Sequence, residues 1–81
     1  MKVVVQFYAQ LRDIVGQEEI DIELAEAARV SDLLARLYQQ FPALGGHDNT
    51  ILLGVGVEFV DRSYQLKPGD EIAIMPPVQG G

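Results

Sequence analysis

The sequence ends IMPPVQGG, and the reactive group with an evident means of delivery is the α-carboxylate of Gly81. Pro76 and Pro77 have no backbone N–H and a fixed φ, so a sheet cannot run through them and they form a stiff post. Beyond the post, Val78, Gln79, Gly80 and Gly81 reach at most about 13 Å, at ~3.3 Å per residue. Two glycines without Cβ atoms let that end thread a slot that any other residue would block. A carboxylate is inert at neutral pH, so a partner must activate it, most simply as an acyl-adenylate made from ATP. A nucleophile then displaces AMP. A lysine gives an isopeptide; a sulfur donor gives a thiocarboxylate.

The rest of the chain offers little competing chemistry. It has no cysteine, which excludes disulfides, zinc–thiolate sites, Fe–S clusters and cysteine nucleophiles. Its single histidine, His47, lies in GGHDN, a loop composition, and reads as a solvated turn residue. Glu18, Glu19, Asp21 and Glu23 read as a wet strand face, and Ser31 as a helix cap; no metal cluster is expected. Twelve acidic residues against six basic ones give a net charge of −6. That repels nucleic acid, whose binding needs Lys and Arg on phosphates, and steers the chain towards a basic protein partner. No apolar run approaches the ~18–20 residues that span a bilayer, and MKVVVQFY lacks a cleavage site. The expected location is the cytoplasm, away from membranes.

Eighty-one residues make one small domain. KVVVQFY (2–8) alternates with Val3, Val5 and Phe7 on one face, the period of a strand. AQLRDIVG (9–16) predicts one or two helical turns stopped by Gly16. EEIDIEL (18–24) alternates again, with Ile20, Ile22 and Leu24 inward and acids outward. A helix is predicted from a Ser31 cap to a stop at Pro42, with Leu33, Leu34, Leu37, Tyr38 and Phe41 on a core-facing stripe. PALGGHDNT (42–50) reads as a loop. ILLGVGVEFV (51–60) reads as a strand interrupted at Gly54 and Gly56 by a bulge or close backbone approach. The lone G-x-G there lacks the third glycine, the helix and the lysine of a nucleotide loop. In LKPGDEIAIM (66–75) a Pro-Gly turn feeds a last strand, with Ile72 and Ile74 on one face and Ala73 and Met75 on the other. Strands grouped about one covering helix predict an α+β fold: a β-grasp (ubiquitin-like) mixed sheet over residues 1–75, with 76–81 a flexible C-terminal tail.

The stretches FYAQLRDIVG and LKPGDEIAIMPPVQGG resemble the small, sulfur-carrying subunits of molybdopterin synthases, within the ubiquitin-like sulfur-carrier family. The resemblance implies a β-grasp body paired with a large catalytic subunit in a heterotetramer. It implies that an E1-like enzyme adenylates Gly81 with ATP and magnesium, and that a sulfur-donor protein converts it to a thiocarboxylate. The tail then inserts into the large subunit and donates sulfur to cyclic pyranopterin monophosphate. The chain itself would be a carrier with no bound cofactor, not an enzyme. Members of that family often carry Asn where this chain has Gly56, and an aromatic residue where it has Met75.

By strand parity, Tyr8, Phe59 and Met75 should share the face away from the helix, near the root of the tail. Exposed apolar residues there would make a docking patch. Three alternatives stay open: a thiamine-pathway sulfur carrier, a protein modifier conjugated through Gly81, and a non-covalent ubiquitin-like module.

Overall fold

In the computed structural model, which describes residues 1–77, the alternating first segment forms β1 (Lys2–Phe7). Val3, Val5 and Phe7 are buried, and Lys2, Val4 and Gln6 occupy the other face. Helix α1 (Gln10–Val15) buries Leu11 and Val15 and stops at Gly16, whose φ of 82° carries its N–H to the Arg12 carbonyl at 2.8 Å. Next comes β2 (Glu19–Glu23), then α2 (Val30–Gln40) and a 3-10 helix, Pro42–His47. The chain closes with β3 (Leu52–Val55), β4 (Glu58–Phe59) and β5 (Glu71–Met75).

These strands form one mixed sheet in the order β2-β1-β5-β3-β4. β1 runs antiparallel to β2 and parallel to β5, while β3 is antiparallel to both β5 and β4. Register aligns the apolar residues in rows: Ile20, Val5, Ile72 and Val55 in one, Phe7, Ile74 and Leu53 in the next. Leu33, Leu34 and Leu37 of α2, each 2 % exposed or less, complete the same core, so the helical stripe is core. Tyr38 and Phe41 pack at its margin.

The helix does not begin as its sequence suggests. Arg29, not Ser31, takes the N-cap position, and the Asp32 carboxylate accepts the Arg29 N–H at 2.8 Å. The N–H groups of Val30 and Ser31 donate instead to the carbonyls of Tyr64 and Arg62, both at 3.0 Å. A distant segment thus satisfies the orphan donors of the first turn, and the Ser31 hydroxyl is not needed. Two further expectations change. Residues 42–47 are a 3-10 helix burying Leu44, because Pro42 suits the first position of a helical turn. Residues 51–60 are a hairpin and not one interrupted strand: Gly56, at φ 63°, reverses the chain between β3 and β4. Positive φ at the first turn position alone is the pattern of a two-residue II′ turn.

A polar latch holds the 3-10 segment to the body. The Tyr38 hydroxyl donates to Asp48 Oδ1 at 2.5 Å, and Arg62 Nη1 donates to the same oxygen at 2.7 Å. These two hydrogen bonds hold the Asp48 carboxyl below its usual range. Burial, reinforced by Asp48, pushes the Tyr38 phenol up to about 12. A phenol whose folded value lies above its unfolded one contributes stability below pH ~10 that is lost as pH rises towards 12. Urea midpoints measured from pH 9 to 12 should therefore fall more steeply for the wild type than for Tyr38→Phe; equal slopes would show that the latch contributes nothing.

Parallel pairing of β1 with β5 sets the polarity of the site. The Gly69 N–H donates to the Lys2 carbonyl at one pole, and the Tyr8 N–H to the Ile74 carbonyl at the other. After Met75, Pro76 therefore leaves the sheet beside Tyr8, at the pole opposite the N-terminus.

Candidate functional site

Period-2 geometry sends Gln6, Ala73, Gly54 and Phe59 to the sheet face away from α2, and the register places them side by side across four strands. Met75 and Leu52 form the next row towards the tail. Small residues at Gly54 and Ala73 leave a depression between larger ones. The result is a groove of about 240 Å³ lined by Tyr8, Gly54, Ala73, Met75, Phe59 and the hairpin tip. A Cβ on Gly54 would lie 3.4 Å from the Glu58 carbonyl oxygen and 3.5 Å from Met75 Cε, so a side chain there would fill the floor.

The three residues expected on this patch thus come together, and Pro76 and Pro77 follow directly from its Met75 rim. Tyr8 is 47 % exposed and Phe59 74 %, values that mark an unpartnered apolar surface and not a core. Val78, Gln79, Gly80 and Gly81 lie outside the described residues. Sequence reading missed Gly54 as the floor and the fully exposed Val57 at the rim. Ala73 was legible from its parity with Met75, but only the β3–β5 register puts Gly54 opposite it.

A larger depression of about 560 Å³ lies along the β3–β4 edge, lined by Ile51, Leu53, Val60 and Arg62 among others. It shares Phe59 with the groove but contains neither Tyr8 nor Met75, and its one cationic side chain is committed to Asp48. Proximity to the tail selects the smaller groove. Acidic residues flank it: Glu58 on the hairpin, and Glu18 and Glu19 beyond Tyr8, with Arg12 tied to Glu18 at 3.4 Å. Among the described residues no cluster of three or more His, Asp or Glu side chains could hold a metal ion. None of the described helices is long and apolar enough to cross a membrane.

This sheet order, with one long helix across one face and a terminal segment leaving the end of the central strand, defines a ubiquitin-like β-grasp protein. A match over residues 5–81 shows that the chain belongs to the ThiS family. It is 36 % identical to the molybdopterin synthase sulfur carrier subunit of Chlamydomonas reinhardtii, each chain covered in full. It is also 30 % identical to small archaeal modifier protein 3 of Haloferax volcanii, again with both chains covered in full. Among solved structures it superposes with a TM-score of 0.88 on a Pyrococcus furiosus protein assigned as molybdopterin converting factor subunit 1. Identity there is 30 %, over 96 % of this chain and 99 % of that one. A TM-score of 0.73 at 26 % identity, with both chains fully covered, relates it to a protein–protein complex of subunits 1 and 2 of the Helicobacter pylori molybdopterin-converting factor.

Proposed function

We propose that this chain is the sulfur carrier subunit of a molybdopterin synthase and that Gly81 carries the sulfur. An E1-like enzyme, using ATP and magnesium, joins the Gly81 carboxylate to AMP. Sulfide released by a donor protein attacks the acyl carbon; the C–S bond forms, the C–O bond to AMP breaks, and AMP leaves. The resulting thiocarboxylate enters the large catalytic subunit and gives its sulfur to cyclic pyranopterin monophosphate for the dithiolene of molybdopterin. The body (1–75) docks and the tail (76–81) delivers, in a cytoplasmic heterotetramer whose catalytic side chains belong to the large subunit.

One observation carries this reading: the exposed apolar groove of Tyr8, Phe59 and Met75 lies at the pole from which the tail leaves. Docking there fixes where the tail begins, which converts a dilute sulfur donor into a locally concentrated one. The relatives named as sulfur carrier subunits support it. The Haloferax relative, named as a modifier, favours a second reading in which Gly81 is joined to lysines of other proteins.

Intact mass separates the two. Protein purified from cells that also express the activating enzyme should be heavier by the difference between one sulfur and one oxygen atom, with fragmentation placing that mass on Gly81. An ordinary carboxylate together with covalent ladders in the extract would favour the modifier.

Docking makes its own prediction. Phe59→Ala should weaken binding to the cognate large subunit by about 10- to 30-fold, the loss typical of a central aromatic anchor. Unchanged affinity would remove Phe59 from the interface. The acidic rim should also make the association rate fall as salt is added.

A further inference from the structure

Between Tyr8 and α1 the backbone adopts a conformation that its residue resists. Ala9 has φ 53° and ψ −131°, a region open to glycine and crowded for any residue with a Cβ. At three other described positions with positive φ the chain places glycine: Gly16, Gly56 and Gly69. Ala27, at φ 66°, is the other exception. It lies in the turn closed by the Ala28 N–H on the Ala25 carbonyl, just after Leu24, whose carbonyl holds the N-terminal ammonium at the opposite pole.

Ala9 is clamped from both sides. Upstream, the Tyr8 N–H is bound to Ile74. Downstream, the Leu11 N–H donates to the Tyr8 carbonyl and the Arg12 N–H to the Ala9 carbonyl, both at 3.1 Å. Leu11, fully buried, anchors the following turn. The Tyr8 side chain, in contrast, is barely tied: its hydroxyl is 3.5 Å from Gln6 Oε1, the limit of a hydrogen bond. Its ring is a wall common to two depressions, the apolar groove of Met75 and Phe59 and a polar pocket lined by Gln6, Arg12, Glu18 and Glu19. With no strong bond on the side chain, the direction of the ring depends on the stiffness of the backbone beneath it. Alanine, once forced into this conformation, has few others within reach. Glycine would relax the strain and open several.

We propose that Ala9 is a positioning residue for docking: its strained backbone holds Tyr8 as the wall of the apolar groove, ready for the large subunit. The inference rests on that groove being the docking surface. It separates stability from affinity, because the substitution that relieves the strain also frees the ring. If the binding-competent orientation of Tyr8 falls to a third or a tenth of the population, apparent affinity falls by roughly three- to ten-fold.

The experiment compares Ala9→Gly, Ala9→Ser, Ala27→Gly and Tyr8→Ala. It measures the thermal midpoint, calorimetric affinity for the cognate large subunit, and NMR order parameters of the Tyr8 amide and ring. Ala9→Gly should keep or raise the midpoint, weaken binding and lower order at Tyr8. Ala9→Ser, which keeps the Cβ, should bind like the wild type, and Ala27→Gly should leave affinity unchanged. Wild-type affinity in Ala9→Gly while Tyr8→Ala binds weakly overturns the role of Ala9. A lowered midpoint accompanying the weaker binding also overturns it, by making Ala9 a residue of the fold. Wild-type binding by Tyr8→Ala removes Tyr8 from the docking surface instead.

Discussion

Deleting Gly81 should stop sulfur delivery while leaving the folded body untouched. The truncated chain still ends in a glycine carboxylate, at Gly80, so the chemistry at its tip is nominally unchanged. What changes is position. One residue of extended chain is about 3.3–3.6 Å, whereas reacting groups must lie within about 3–3.5 Å of each other and a misplacement of about 1 Å can cost roughly 100-fold. If the groove is the docking surface proposed above, the anchored carrier cannot make up a whole residue, because Pro76 and Pro77 restrict the start of the tail. Synthase activity in a reconstituted system should therefore drop by at least about 100-fold. The thermal midpoint and affinity for the large subunit should hold close to wild type, since the last buried residue among those described is Ile74. Full activity after the deletion would sink the carrier mechanism and favour a non-covalent module.

Replacing Ile72 with alanine should have the largest effect on stability. Ile72 is completely buried on the central strand, opposite Val5 on one side and Val55 on the other. Truncation removes the side chain that joins the two halves of the core row, and the strands on either side are too constrained by their ladders to collapse into the gap. The cost for Ile→Ala in such a site is about 2–5 kcal/mol. In a domain of this size each kcal/mol shifts the midpoint by roughly 4–8 °C, so about 3 kcal/mol lowers it by roughly 12–24 °C. A shift of only a few degrees would mean that the row repacks and that the core is less tightly specified than its burial implies. Against the roughly 5–15 kcal/mol of net stability that small domains have, this one change removes a substantial share.

Features that depend on neighbours a few residues apart are legible in the chain alone. Alternation in KVVVQFY and EIDIE sets two strands and their inner faces, because successive Cβ atoms point to opposite sides of a pleat. The Leu33–Leu34–Leu37 stripe sets the core face of α2, Gly16 ends α1, and Pro68-Gly69 turns the chain into β5. Parity puts Tyr8 outward from β1 and Met75 outward from β5, whereas Phe59 joins that face through the β3–β4 hairpin, which sets it opposite Gly54.

Which strand lies beside which, and everything that follows from that order, is set by the assembled core. Helix α2 starts at Val30 and not at Ser31 because the carbonyls of Arg62 and Tyr64, some thirty residues away, receive its first N–H groups. Tyr38, Asp48 and Arg62 form a latch although nothing in their local sequence pairs them. Gly54 becomes the floor of the groove because β3 adds to β5 in a register that sets it opposite Ala73 and beneath Met75. Ala9 adopts a glycine conformation where the end of β1, tied to β5 through the Tyr8 N–H, meets the start of α1. Local periodicity is fixed by backbone sterics within a turn or a pleat. Partners separated by long stretches of chain are selected by the packing of the whole core, which no window of the sequence contains.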